Sequence, residues 1–362
     1  MGAHSDTAEN PAAELPTTQR AAVLHAAHDI RTAETAVPAV APDEVLVRVT
    51  AVGVCGSDVH FYHDGRLGDW VVDEPLVLGH ESGGVIVAVG DEVDPSRIGE
   101  RVSIEPQHPS HGSAETLRGE YNLDPAMQFY AVPGTDGAFR EYVTIQSHFA
   151  FRVPDGVSDA AAALMEPLSV AIAAARKAEI GAGSRVLITG AGPIGIVCAQ
   201  VARAFGATEI VVSDLAEERR ESALSFGATA AFDPGSAEFA AVTGVDAFID
   251  ASGAGPAVRD GIRRVRPAGR VVLVGMGIDE LPLPITHIQN NELTITGVFR
   301  YANTWPTAIA LVERGLVDLD RMVTGTFDLD HVAEALESTA DPRTIKTVVV
   351  PTGEASDALR NR

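Results

Sequence analysis

Gly190, Gly192 and Gly195 stand in G-x-G-x-x-G spacing. A short apolar run at 186–189, with the length and composition of a buried strand, precedes them, and an apolar segment at helical spacing, 196–205, follows. A second strand is predicted over 209–213, ending at Asp214, 19 residues beyond Gly195. This is a unit for holding a dinucleotide. Gly190 makes the tight turn, Gly192 lets a pyrophosphate approach the backbone, and Gly195 lets helix and strand pack closely. The start of the helix, at Pro193 and Ile194, offers free N–H groups and a positive dipole end to the phosphates. At the strand tip the Asp214 carboxylate accepts from a ribose diol and repels a 2′-phosphate, which predicts NAD rather than NADP. Arg219, five residues on, reads equally as a clamp on the adenosine or as a solvated helix arginine. A second set of residues could hold a metal. Cys55, His80 and Glu81 offer one sulfur, one nitrogen and one oxygen donor from two loops 25 residues apart. A catalytic zinc takes about three such ligands and keeps one position open. Taken alone, a cysteine in apolar surroundings is as readily a buried structural residue, and a His-Glu pair a surface pair.

The elements that must position these residues can be read in outline. Strands are predicted at 21–25 and 45–49, followed by a turn or first helical turn at 52–65 that crowds Ser57, Asp58 and His60 behind Cys55. An apolar run at 76–78 leads into His80 and Glu81, and a strand with glycine-rich turns continues to 102. Residues 103–133 form a polar, proline-rich insert, expected to be held by packing of Tyr121, Leu123 and Phe129. After an alternating stretch at 137–152, helical spacing takes over at 158–180. Beyond the glycine loop, helix 217–226 and strands 230–232, 247–250, 271–275 and 293–296 continue a βαβ alternation, which predicts a parallel sheet with helices on both faces. Helices at 307–314 and 329–338 and a strand at 345–350 should return to the first domain. No internal repeat is found.

Composition narrows the class. A chain of 362 residues, 46% hydrophobic and 21% charged, fits a globular protein of two domains. It contains no 18-residue apolar run free of charge, so no membrane span or membrane partner is expected. The first 19 residues lack a basic start and an apolar segment, and read as a disordered tail rather than a secretory signal. Two cysteines give no disulfide framework, in keeping with a reducing cytoplasm. A formal charge of −23 argues against a nucleic-acid partner.

The segments VCGSDVH (54–60), VLGHE (77–81), EPLSV (166–170), GAGPIG (190–195) and GVFRYANTWP (297–306) together resemble the zinc-dependent medium-chain dehydrogenases. Within that superfamily the sequence is most similar to the sorbitol (polyol) dehydrogenases, over about residues 20–350. The resemblance implies an α/β protein, a Rossmann doubly wound parallel sheet plus a mainly β, GroES-like catalytic domain. The expected division is a tail at 1–19, catalytic domain 20–162, NAD domain 163–303, return to the catalytic domain 304–350 and a loose tail 351–362. It makes Cys55, His80 and Glu81 the ligands of one catalytic zinc, with Glu166 as a fourth group bound directly or through water. Zinc there acts as a Lewis acid on an alcohol hydroxyl. Ser57 is the expected proton acceptor and His60 the relay toward solvent, while Phe61, Phe129, Arg300 and Tyr301 line the substrate pocket. Many relatives carry four cysteines in the insert for a structural zinc; this insert has none, so no structural zinc is expected. The implied activity is NAD-dependent oxidation of a secondary alcohol of a polyol to a ketose, by a homotetramer. The alternatives are a butanediol, threonine or aldose dehydrogenase, or a non-catalytic dinucleotide sensor.

Overall fold

The computed structural model describes residues 15–277 and 279–352. Valine-rich alternation builds the first of two large sheets. Along the strand Glu44–Gly53, Val45, Val47 and Val49 share one face and are fully buried in a common core. That strand is central to a seven-stranded sheet in the order Ala150–Arg152, Arg101–Ile104, Glu81–Val89, Glu44–Gly53, Lys346–Val350 and Val323–Asp328. The strand Tyr142–Gln146 also pairs with Glu44–Gly53. A hairpin of Thr18–Ala26 and Asp29–Ala36 with the short strand Leu76–Val77 forms a separate three-stranded sheet. The chain thus closes its first domain with strands drawn from both of its ends.

The second large sheet is wholly parallel, in the order Ala230–Phe232, Glu209–Ser213, Arg185–Thr189, Val245–Asp250, Val265–Leu273, Thr294–Gly297. Numbered along the chain this is 3-2-1-4-5-6, the dinucleotide-binding order, with its switch point beside the first strand. Alternate residues of Arg185–Thr189 enter different cores: Val186 and Ile188 one, Leu187 the other. Both faces of the sheet are therefore covered, as the near-continuous apolar strands require. The expected α/β architecture and parallel sheet are present. No described helix is long and apolar enough to cross a membrane.

The structure redraws three expectations. Strand Thr18–Ala26 begins inside the stretch read as tail. Gln19 is 2% exposed, donates to the Ala36 carbonyl and accepts from the Tyr142 N–H, so it is bonded into the sheet. The expected tail segments at 1–14 and 353–362 lie outside the described residues. Helix Trp305–Glu313 does not return to the first domain: Trp305, Ala308 and Leu311 are buried in the core of the second, against helix Met165–Lys177. The return starts at Val323–Asp328. In the insert, Leu123 is 50% exposed and contributes little packing. Tyr121 and Phe129 do pack as expected, against Phe149 and His80, and the insert is also gathered on Asp124, whose carboxylate accepts from the Ser110 N–H and hydroxyl, the Thr116 hydroxyl and the Ala126 N–H.

Candidate functional site

Cys55 stands immediately before helix Gly56–Asp64, as its N-cap. Asp58, in the first turn, reaches back to accept from the Cys55 N–H at 3.0 Å with one carboxylate oxygen. Its other oxygen accepts from the Gly79 N–H at 2.9 Å and lies 3.7 Å from His80 Nδ1. One buried carboxylate thus ties the cysteine loop to the histidine loop and orients the imidazole. Glu81 opens strand Glu81–Val89, paired in register with Gly53. Donor atoms of Cys55, His80 and Glu81 all lie within 4.8 Å of one another. Glu166, on helix Met165–Lys177, is 5% exposed and outside that set of mutual neighbours.

The electrostatics fit a cation. Burial disfavours a charged His80, yet Cys55, Asp58 and Glu166 outweigh it and push the imidazole up to about 10. Burial raises Glu166 to about 7, with Glu81 adding to the shift and His80 opposing it. Glu81 has one oxygen on Lys346 Nζ at 2.6 Å and the other buried without a partner. A cysteine sulfur, an imidazole and a carboxylate oxygen short of a partner form a donor set suited to zinc. Lys346, 3% exposed, also donates to the Val54 carbonyl at 2.7 Å.

The glycine loop faces the same space. Helix Pro193–Ala204 starts at Gly192. A Cβ on Gly195 would stand 1.8 Å from the Gly190 carbonyl oxygen, so helix and loop touch only because that side chain is absent. A Cβ on Gly192 would meet nothing within 4 Å, which leaves the backbone open to a phosphate. Asp214 accepts from the Ala191 N–H at 2.7 Å and the Ala216 N–H at 2.9 Å, bracing the loop that it adjoins. Arg220 is spent on the carbonyls of Asp214 and Leu215, whereas Arg219 lines the cleft. That cleft, about 320 Å³, is lined by Cys55, His60 and Glu81 from the first domain, by Gly192, Pro193 and Ile194 from the glycine loop, and by Lys346.

His60 is on the cleft wall, half exposed, with Nδ1 3.1 Å from the Asp64 carboxylate. Ser57 lies one turn earlier on the same helix face, partly buried. None of the four expected substrate residues is among those lining that cleft. Phe61 is 1% exposed inside the first domain's core. Phe129 sits 5.4 Å from the His80 ring, centroid to centroid, and carries the Arg300 guanidinium 4.0 Å above its own centroid. Arg300 also lies 4.6 Å from the Phe299 ring centroid, and burial lowers it to about 10. The Tyr301 hydroxyl is buried beside Glu166, and that burial raises its pKa well above the ordinary value.

Sequence reasoning passed over Lys346 and left Asp58 without a role. The available signal was a lysine opening an apolar strand and an aspartate three residues after the cysteine, where a capping carboxylate belongs. It also missed a network in the insert. Glu105 accepts from Tyr121 Oη and Gln107 Nε2, both at 2.8 Å; Gln107 also donates to the Tyr301 carbonyl at 3.1 Å, and the Asn303 N–H donates to Tyr121 Oη at 2.8 Å.

Comparison with known proteins places each half of the chain. Residues 41–155 match the alcohol dehydrogenase GroES-like domain, and residues 193–314 match the zinc-binding dehydrogenase domain. The chain is 40% identical to sorbitol dehydrogenase of Bacillus subtilis (strain 168) over 331 residues, 89% of this chain and 94% of that protein. It is 38% identical to D-xylulose reductase of Saccharomyces cerevisiae over 348 residues, 92% of this chain and 98% of that protein. Among solved structures, an alcohol dehydrogenase from E. coli CFT073 in complex with NADH superposes with a TM-score of 0.87 at 28% identity, covering 93% of this chain and 100% of that one.

Proposed function

The chain belongs to the zinc-dependent medium-chain dehydrogenase family, and from that premise we propose that it oxidises a secondary hydroxyl of a sorbitol- or xylitol-like polyol to a ketose, passing the hydride to NAD. The observation that carries this reading is the shared cleft: the Cys55–Glu81 donor set and the bare Gly192 backbone open onto one space. When bound, zinc supplies the Lewis acidity that lowers the pKa of the substrate hydroxyl, and NAD supplies the hydride acceptor.

In this reading Cys55, His80 and Glu81 hold the metal, and Glu166, set back from them, reaches it through water. Ser57 takes the substrate proton, and His60, exposed one turn along the helix, hands it to solvent. Gly190, Gly192, Pro193, Ile194 and Gly195 seat the pyrophosphate. Asp214 keeps a carboxylate at the ribose, and Arg219 covers the adenosine. Arg300 and Tyr301 donate to the additional hydroxyls that distinguish a polyol from a simple alcohol, while Phe129 packs against its carbon chain. Phe61 supports that wall from behind. The enzyme assembles as a homotetramer and works in the cytoplasm.

The test is NAD reduction over sorbitol, xylitol, ribitol, arabinitol and 2,3-butanediol, with and without a chelator. Chelator-sensitive turnover of a polyol is expected. Preference for 2,3-butanediol, or turnover indifferent to the chelator, overturns the reading. Light scattering of the purified protein checks the tetramer.

A further inference from the structure

A second cluster of metal-binding side chains lies outside the cleft. His28, His63 and Glu337 bring one donor atom each to within 4.8 Å of one another, and none of the three lines the cleft. They come from three elements that nothing else requires to present such groups together. His28 is the turn residue of the hairpin Thr18–Ala26/Asp29–Ala36, held at φ 59°. His63 is in the last turn of helix Gly56–Asp64, and Glu337 ends helix Val332–Glu337. The His28 N–H donates to the Tyr62 carbonyl at 2.7 Å, which fixes the turn against the helix end.

We propose that His28, His63 and Glu337 form a second site for a divalent first-row ion such as zinc, separate from the site at Cys55. Two imidazoles and a carboxylate are good ligands for such ions. The spacing suits an inserted ion better than a direct contact. His28 Nδ1 is 4.0 Å and His63 Nε2 3.7 Å from the two Glu337 oxygens, too long for hydrogen bonds and close to the separations of donors around one ion. The two imidazole rings lie edge to face, their centroids 4.8 Å apart, so they are already held next to each other. The C-terminal end of helix Gly56–Asp64, which carries partial negative charge, adds to the attraction for a cation. All three side chains are at least a third exposed, so an ion can enter from solvent and complete its shell with water. Bound there, it would fasten the hairpin, the helix that starts at Cys55 and the returning C-terminal segment to one another.

The experiment is a zinc count on the full-length enzyme, dialysed against micromolar free zinc and assayed by atomic absorption. The parent is expected to hold one equivalent more than either His63→Ala or Glu337→Gln, and the variants should turn over polyol as the parent does. Zinc should also raise the Tm of the chelator-stripped parent more than that of either variant. An unchanged zinc count in both variants overturns the site. Should the parent hold a single equivalent that both variants lose, this site stands and the metal at Cys55 falls.

Discussion

At the scale of single residues, the site depends on groups that never meet substrate. Asp58 accepts from the backbones of both ligand loops while facing His80. Asp58→Asn must turn an amide N–H toward a backbone donor and loses the charge opposite the imidazole. Zinc affinity should fall about 10- to 100-fold, measured by competition with a coloured chelator, and unchanged affinity would remove Asp58 from its orienting role. Asp214, proposed above as the ribose contact, also accepts from the Ala191 N–H. Asp214→Ala should therefore raise the NADP/NAD preference ratio and also weaken NAD itself. An unchanged ratio in steady-state kinetics would deny it the ribose contact. Cys55, His80 and Glu81 were legible because they fall in short segments with a recognisable pattern. Lys346 was not, because a lysine at a strand start reads as solvent-facing. Only the fold shows that it is buried against Glu81, 265 residues away in the chain.

At the scale of elements, the parallel sheet could be read almost strand by strand, because apolar runs buried on both faces leave a plain pattern between glycine turns. What could not be read was which lobe an amphipathic helix covers. Trp305–Glu313 has an apolar stripe that would suit either domain, and only contact with Met165–Lys177 decides. Two glycines of one loop separate fold from function. Gly195→Ala would put a methyl 1.8 Å from a backbone oxygen and should destabilise the domain, whereas Gly192→Ala meets nothing. Gly192→Ala should keep the Tm and lose NAD affinity, by calorimetric titration with NAD. If both variants lose Tm alike, the open space at Gly192 is not a phosphate seat. In the insert the aromatics Tyr121 and Phe129 pack as the sequence suggests, but the polar bonds that converge on Asp124 leave no pattern in the sequence. Burial opposes ionisation there, but donors from Ala126, Ser110 and Thr116 hold the carboxyl at about 2, against an ordinary 3.8. The folded value is depressed, so this stabilisation is present above about pH 4 and is lost as pH falls through that interval toward 2. Asp124→Asn should speed proteolytic cleavage of the insert at neutral pH, and the difference from the parent should shrink below pH 4. A pH-independent difference would deny the carboxylate its part.

At the scale of the whole molecule, the two domains are joined by more than the chain between them. Trp305 Nε1 donates to Ser103 Oγ at 2.8 Å, and the Glu105–Gln107–Tyr121 group grips the backbone of 301–303 from the first domain. The gripped segment needs it. Arg300 and Asn303 both adopt positive φ, at 57° and 58°, a backbone region costly for residues with side chains. The same turn sets Arg300 against Phe129 and Phe299 and buries Tyr301 near Glu166. The grip therefore fixes the residues proposed to read a polyol's outer hydroxyls, while the glycine loop sits between strand Arg185–Thr189 and helix Pro193–Ala204, away from the gripped turn. Gln107→Ala removes the donor to the Tyr301 carbonyl and to Glu105. A buried hydrogen bond is worth about 1–2 kcal/mol, so KM for the polyol should rise roughly five- to thirtyfold. KM for NAD should hold, and so should kcat at saturating polyol. Equal rises in both KM values would mean that Gln107 supports the fold at large. No rise in either would mean that the 301–303 turn keeps its shape unaided.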